Sequence, residues 1–140
     1  MEEFERVCRS KGLRVTHQRL EIFREFAVFA GHPTVENVFN RIRRRLKTIS
    51  MDTVYRTIST FEKYGLIKRV KLLDNSARFD INLAVHHHLV CTRCKNIEDF
   101  YWPNFDGMKL PNTIRDWGDV DSKHVEIRGL CRKCRKNRKR

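Results

Sequence analysis

Apolar residues in the first 65 positions recur at the three- and four-residue spacing of amphipathic helices. The apolar stripes begin after residues that cap helix N-termini and end near glycines, which are common just past helix C-termini. The sequence therefore predicts four helices, at residues 3–11, from the Thr16 cap to about Phe29, from the Thr34 cap to about Lys47, and from the Ser50 cap to Gly65.

A β-hairpin is predicted directly after the fourth helix. Two apolar-rich segments, residues 66–73 and 77–81, are joined by Asp74, Asn75 and Ser76, which favour a tight turn. Three helices followed by a hairpin are typical of a winged helix-turn-helix, in which the last helix lies in the major groove of DNA. Residues 82–85 are interpreted as a linker, so that residues 1–82 form a first domain and residues 86–140 a second.

Shorter patterns follow one another in the second half of the chain. Strands are predicted at residues 87–91, 96–101 and 122–131, with a helix at 105–117 that Gly107 and Pro111 weaken. The predicted fold class is α+β: an N-terminal winged helix-turn-helix followed by a small α/β domain. So few elements rarely bury enough apolar surface to be stable alone, and we expect a bound metal and a dimer partner to stabilise this domain.

Two Cys-x-x-Cys pairs occur in the second domain. Cys91 with Cys94, and Cys131 with Cys134, supply the ligand number and spacing of a closed tetrahedral zinc site. Two disulfides or four unrelated thiols are the alternatives. The acidic N-terminus lacks the basic and apolar regions of a signal peptide, so we expect a cytoplasmic protein whose thiols stay reduced. The fifth cysteine, Cys8, is interpreted as a partly buried helix thiol.

The positive charge of the chain is concentrated at its two ends. The formal net charge is +13; residues 1–80 contain 17 Lys+Arg and 10 Asp+Glu, residues 81–130 contain 6 and 7, and the last ten contain 7 and none. No apolar run is long enough to predict a membrane-spanning helix. A basic first domain and a basic tail indicate a polyanionic partner, most simply double-stranded DNA, although a charged run is often only a solvated face.

The polar face of the fourth predicted helix carries the candidate base contacts. Tyr55 and Arg56 lie on its first turns, which meet base edges in a winged helix-turn-helix. The alternative is that Tyr55 packs against the protein and that Arg56 is merely solvated. The remaining candidate DNA contacts are Ser59, Arg14 and Arg19.

Three consecutive histidines precede the first cysteine pair. On a strand, His86 and His88 share one face while His87 points to the other, and a same-face histidine pair is suited to binding a metal. The alternative is an exposed polar strand. Three further candidate ligands, which sequence spacing alone does not bring together, are His32, Asp80 and Asp99.

Two other classes of function are alternatives to metal-dependent DNA binding. A zinc-dependent hydrolase acting through the histidines would need an open coordination position and a general base. No His-Glu-x-x-His motif occurs, so the chain is not predicted to be an enzyme. An architectural DNA-binding protein would bind DNA whether or not a metal is present.

Several segments together resemble the ferric uptake regulator (Fur) family of repressors, over nearly the whole chain. They are Gly-Leu-Arg-Val-Thr-His-Gln-Arg at 12–19, His-Pro-Thr at 32–34, Thr-Val-Tyr-Arg-Thr at 53–57, Tyr-Gly-Leu-Ile at 64–67, Arg-Phe-Asp at 78–80, His-His-His-x-x-Cys-x-x-Cys at 86–94 and Cys-x-x-Cys at 131–134. The resemblance implies a homodimeric, metal-dependent, DNA-binding repressor whose second domain forms the dimer.

The resemblance also implies two metal sites. The residues that match the family's structural zinc ligands are Cys91, Cys94, Cys131 and Cys134. A regulatory ion would draw ligands from both domains and fix the angle between them, through His32, Asp80, His86, His88 and Asp99. Nitrogen and oxygen ligands suit Fe(II) or Mn(II) better than an ion that prefers thiolates.

Small differences indicate a branch of the family. Asp99 and Asp80 are similar to the peroxide-sensing PerR branch, whereas iron-sensing members often have Glu at these positions. That branch implies that hydrogen peroxide, with bound Fe(II), oxidises a ligand histidine, here His32 or His86, and that DNA is then released. An iron-responsive Fur-type repressor is the alternative, and Glu98 beside Asp99 keeps it open.

Three features depart from the family pattern. Lys95 follows the first cysteine pair where the family usually has Gly, so we expect a less favourable turn there. His124 lies one position closer to Cys131 than the usual family histidine, and an accessory metal site at His87 and His124 is therefore not assigned. The basic tail, residues 132–140, lies outside the shared pattern and is expected to add phosphate contacts.

Overall fold

The fold is that of a computed structural model, which describes residues 1–29, 31–71 and 77–139. The chain divides into two compact units, Met1–Leu83 and Ala84–Arg140. Among the helices in the described ranges, none has the length and apolar content needed to cross a membrane.

Four helices form most of the first unit: α1 (Glu2–Ser10), α2 (His17–Val28), α3 (Val35–Ile42) and α4 (Met51–Lys63). Thr16 Oγ1 accepts a hydrogen bond from Arg19 N at 3.2 Å, and Ser50 Oγ accepts one from Thr53 N at 3.1 Å. Thr34 forms a capping box with Asn37 at the start of α3. These side chains satisfy backbone N–H groups that a helix leaves unpaired, so all three predicted caps are confirmed.

The predicted end of α3 is wrong. The helix ends at Ile42 rather than near Lys47, because Arg44 N and Arg45 N bond three residues back, to Arg41 O at 3.4 Å and Ile42 O at 3.0 Å. This tighter turn redirects the chain so that Ile49 is buried in the core just before α4 begins. A stripe of apolar residues at helical spacing thus continues across a turn.

The predicted hairpin is present. Strand β1 (Lys68–Lys71) pairs antiparallel with β2 (Ala77–Asp80), in a register that places Lys68 opposite Asp80. Strand β1 begins two residues later than predicted and β2 ends one residue earlier, and the predicted turn at Asp74, Asn75 and Ser76 lies outside the described residues. Three helices and this hairpin confirm the winged helix-turn-helix.

The core of the first unit combines aromatic rings with buried carboxylates. Phe4, Phe23 and Phe61 pack together, with ring centroids 4.1 to 5.8 Å apart. Val54, Ile58 and Phe61 of α4 are buried, whereas Ala27 of α2 is exposed. Glu25 of α2 is buried, and this was not predicted.

The second unit is built on a three-stranded sheet in the order β4-β3-β5, where β3 is His87–Cys91, β4 is Ile97–Phe100 and β5 is Glu126–Gly129. Strand β4 runs antiparallel to β3 and β5 runs parallel to it. The predicted bounds of β3 are confirmed. The predicted strand at 122–131 is too long, because the parallel pairing extends only from Glu126 to Gly129.

Short helices complete the second unit: α5 (Pro103–Asp106), α6 (Asn112–Trp117) and α7 (Arg132–Lys136), followed by a 3-10 turn at Asn137–Lys139. The single helix predicted at 105–117 is divided in two, since Gly107 ends α5 and Pro111 precedes α6. Helix α7 was not predicted. The α+β fold class is confirmed in both halves.

Candidate metal centres and DNA contacts

The four cysteines of the two pairs lie together in the second unit. Cys91 ends β3, Cys94 follows in a turn, and Cys131 and Cys134 lie at the start of α7 and within it. Their sulfur atoms are within 4.8 Å of one another, and Cys94 Sγ is 3.8 Å from Cys131 Sγ. A zinc–sulfur bond of about 2.3 Å places the sulfurs of a regular tetrahedron about 3.8 Å apart, so this cluster fits a structural zinc ion.

The surroundings of the sulfurs favour different charge states. Backbone N–H groups, Cys131 N foremost, donate to Cys91 Sγ and lower the pKa of this thiol to about 6. Burial, together with the neighbouring sulfurs, raises the pKa of Cys134 to about 12. Four sulfurs this close do not ionise together in the absence of a compensating charge, and a divalent cation at their centre stabilises all four thiolates.

A second cluster in the same unit consists of His86, His88 and Asp99. His88 lies on β3 and His86 immediately precedes this strand, with its ring on the same side as that of His88, and Asp99 of β4 pairs opposite His88. His86 Nε2 lies 3.1 Å from His88 Nε2, and Asp99 Oδ1 lies 3.6 and 3.4 Å from these nitrogens. His86 Nδ1 donates to Ala84 O at 2.7 Å, which leaves the lone pair of the ring on Nε2, towards the cluster.

Two further histidines lie behind this cluster. His124 Nε2 is 2.9 Å from His88 Nδ1, and burial, with the nearby histidines, lowers the pKa of His124 and favours its neutral form. His87 faces away: its Nδ1 accepts from Val125 N at 3.1 Å, so its Nε2 carries the proton and donates to Asp106 Oδ1 at 2.8 Å. Both nitrogens of His87 are therefore engaged by the protein.

The contact of Asp106 with His87 was missed by the sequence analysis. These residues are 19 positions apart, and no spacing rule connects an acidic residue at the end of α5 to the inner face of β3. The interaction of His124 with His88 was also missed. The triple histidine was the one signal that pointed to this region.

The remaining pair of candidate ligands lies in the first unit. His32 and Asp80 are both buried, and His32 Nε2 is 3.1 Å from Asp80 Oδ2. Arg78 donates to His32 O at 3.1 Å, and Phe79 N donates to Pro33 O at 3.0 Å, which ties the segment before α3 to strand β2. Asp80 Oδ1 accepts from Asn82 N at 2.7 Å, which fixes the carboxylate.

The candidate DNA contacts differ in exposure. Tyr55 of α4 is 53% exposed, and Arg56 extends into solvent with an ion pair to Asp52 at 3.0 Å. Ser59, one turn later, is half-buried. Arg14 is exposed in the segment before α2, and Arg19 donates to Arg14 O at 2.6 Å, so one arginine orders the backbone of the other.

Comparisons with known proteins agree on one family. The sequence profile of the ferric uptake regulator family matches residues 10–128. The peroxide-responsive repressor PerR of Staphylococcus epidermidis is 32% identical over 136 residues, which cover 96% of this chain and 90% of that protein.

Two solved structures extend this likeness. The ferric uptake regulator from Francisella tularensis, solved with iron, superposes with a TM-score of 0.77 at 28% identity, covering 89% of this chain and 96% of its own. The Helicobacter pylori ferric uptake regulator Fur superposes with a TM-score of 0.78 at 22% identity, covering 96% and 90%, and supports the fold.

Proposed function

Because the chain belongs to the ferric uptake regulator family, we propose that it is a metal-dependent repressor that binds double-stranded DNA as a cytoplasmic homodimer and responds to hydrogen peroxide. The observation that carries this proposal is the convergence of His86 Nε2, His88 Nε2 and Asp99 Oδ1, three donor atoms within 3.6 Å of one another. The cysteine cluster would hold a structural zinc ion, distinct from the regulatory ion.

We propose that the His32–Asp80 pair supplies the other ligands of the regulatory ion. The ligand set would then be His32, Asp80, His86, His88 and Asp99, which suits Fe(II) or Mn(II). Two of these residues belong to the first unit and three to the second. An ion that needs both groups binds more tightly to the arrangement of units that brings them together, and this difference in affinity is what would shift the protein towards its DNA-binding form.

The peroxide response would act on the ligands themselves. Bound Fe(II) supplies the chemistry that activates hydrogen peroxide. One peroxide oxygen is inserted at the ring carbon between the two nitrogens of His32 or His86, and the other leaves as water, so the ring loses two electrons and the peroxide gains them. The hydrogen of that carbon moves to the ligating nitrogen, which then has no lone pair for an ion. Asp80 and Asp99, and the PerR relative, support this branch.

DNA binding is assigned to α4 and its neighbourhood. Tyr55 and Arg56 are exposed on its first two turns and would meet base edges. Ser59, Arg14 and Arg19 would contribute further contacts. Strand β5 is an outer strand of the sheet within the described residues and leaves Ile127 48% exposed, which suits an interface between two copies of the chain.

Gel shifts at fixed salt test the function. The probe is a duplex selected in vitro by Mn(II)-loaded protein, and apo, Mn(II)- and Fe(II)-loaded protein are compared with and without hydrogen peroxide. We expect both metals to support binding, and peroxide to release DNA from the Fe(II) form alone. Mass spectrometry should then find one added oxygen on a peptide containing His32 or His86. Binding that ignores metal would contradict the repressor mechanism as a whole.

An iron-responsive repressor is the second candidate, favoured by the similarity to the Francisella tularensis structure with iron. It would have the same fold, the same ligands and the same requirement for metal. The gel shifts distinguish it by its response to peroxide. Iron-loaded protein would release DNA only when iron is removed, and peroxide would change neither the protein–DNA complex nor the masses of the peptides containing His32 and His86.

A further inference from the structure

Helix α7 and the 3-10 turn that follows present a group of exposed cations. We name this group the C-terminal basic surface; its described members are Arg132, Lys133, Arg135, Lys136 and Arg138. All five are exposed, and within the part of the chain that the structure describes none forms an ion pair. By contrast, Arg41 and Arg45 of the first unit are paired with the buried Glu25.

We propose that the C-terminal basic surface is a second DNA-binding surface, which contacts the phosphates of the duplex flanking the operator. The proposal rests on the function proposed above, since it assumes that the first unit brings the protein to DNA. Once that unit is bound, the flanking duplex is present at a high effective concentration, so contacts that are weak individually become significant. Lysine and arginine bind phosphate without reading sequence, which suits a surface with no exposed aromatic side chain.

Two structural roles account for only part of this charge. Four thiolates around one zinc ion leave two negative charges in excess, which two neighbouring cations offset. Lys133, Arg135 and Lys136 lie in the last turn of α7, where positive charge is favourable for the helix dipole. Arg132 lies at the first helical position, where the dipole opposes it, and Arg138 lies beyond the helix. The surface therefore carries more charge than its own fold requires.

The backbone under the surface is held in place. Cys134 N lies 3.4 Å from Cys131 Sγ and donates to it, and Arg135 N donates to Cys131 O at 2.8 Å. From the first cysteine turn, Arg93 donates to Cys134 O at 3.1 Å. The cations thus project from an ordered segment, so binding a phosphate costs less conformational entropy than it would for a free tail.

A charge-neutralised variant tests the surface in the full-length, Mn(II)-loaded protein. Arg135→Gln combined with Lys136→Gln removes two cations and retains all four cysteines. The matched control, Lys109→Gln with Arg115→Gln, removes two exposed cations elsewhere in the same unit. Affinity is measured against salt on the selected operator alone and on the operator extended by about ten base pairs on each side, roughly one helical turn.

On the extended duplex we expect the slope of log affinity against log salt to fall by about 3.6 in the test variant, because the dimer loses four phosphate contacts and each contributes about 0.9. The control and the bare operator should show the wild-type slope. An unchanged slope on the extended duplex, or an equal fall in the control, would overturn the proposal. So would a variant that loses binding to anionic phospholipid vesicles or to single-stranded RNA while its DNA slope is unchanged.

The same titrations separate this proposal from the repressor function. If the wild-type protein fails to bind the operator with metal, the proposed function fails. If operator binding is intact and metal-dependent but the extended duplex adds nothing, the second surface alone is refuted. Zinc content, measured in every variant, verifies that the cysteine cluster is unaffected.

Discussion

At the scale of single residues, the hydrogen bond between His124 and His88 determines which ring nitrogen of His88 keeps its lone pair. His88 presents Nε2 to the cluster and Nδ1 to His124, 2.9 Å away. When His88 Nδ1 donates to His124, the lone pair of His88 is on Nε2, where an ion can use it. In this arrangement His124 would act as a positioning residue for His88, a proposed ligand.

Replacing His124 should therefore lower the affinity for the regulatory ion, although none of the proposed ligands is changed. We expect His124→Ala to lower Mn(II) affinity by about 10- to 100-fold, the usual effect of losing such a partner. His124→Gln should recover most of the affinity, because its amide oxygen can accept the same hydrogen bond. Isothermal titration measures this, with the exposed His17→Ala as the control; equal affinity in all three variants would exclude the role.

The unfavourable backbone conformation of Lys95 could be anticipated from the sequence. Lys95 stands where a glycine is usual, and its φ is 64°, in the left-handed region that side chains with a Cβ disfavour. We expect Lys95→Gly to stabilise the zinc turn by about 0.5–1 kcal/mol. This is the free energy of backbone strain that glycine relieves, minus the greater entropic cost of ordering a glycine on folding. Zinc loss to a chelator should slow, whereas Asn96→Gly, which relieves no such strain, should quicken it.

At the scale of elements, α2 and α3 are joined by an ion-pair network that their apolar patterns do not reveal. Glu25 is 1% exposed and contacts Arg41 Nε at 2.8 Å as well as Arg45. The hydrogen bond between Glu25 and Arg45 raises the pKa of Arg45. On a helical wheel Glu25 interrupts the apolar face, and only the positions of Arg41 on α3 and of Arg45 in the turn after α3 explain why it can be buried.

Neutralising this carboxylate should loosen the packing of the two helices. We expect Glu25→Gln to destabilise the protein by about 1–3 kcal/mol, since the charge-assisted bonds are lost while the half-exposed arginines can still reach water. Urea unfolding, followed by circular dichroism, provides the measurement. Glu36→Gln, at an exposed position of α3, should change stability by no more than about 0.5 kcal/mol.

Elements differ in how far their own sequence determines them. The caps at Thr16, Thr34 and Ser50 were predictable because each acts within three residues. The end of α3 was not, because Leu46 and Ile49 continue the apolar stripe but pack against the core from a turn. Helix α7 was missed because its polar sequence has no periodicity, and its structure depends on cysteines at its start.

At the scale of the whole molecule, the two units depend on different interactions. The first has a continuous apolar core, which the helical spacing of its sequence predicted. The second has few buried apolar side chains and is joined by the cysteine cluster, which links β3 to α7. The spacing of the cysteines predicted this cluster, since two residues between sulfurs form one turn. The same-face placement of His86 and His88 followed from strand geometry, but their link to His32 and Asp80 came from family resemblance alone.

Counting the Mn(II) ions bound per chain tests directly whether one ion uses ligands from both units. We expect one Mn(II) per chain beyond the zinc, and we expect either His32→Ala or Asp99→Asn to reduce its affinity, although these residues belong to different units. Binding of a shared ion stabilises each part that contributes ligands, so hydrogen exchange should slow in β2 and in β4 together. Two Mn(II) ions per chain, each lost in only one variant, would mean two separate sites, and the proposed coupling between metal and DNA would have no structural basis.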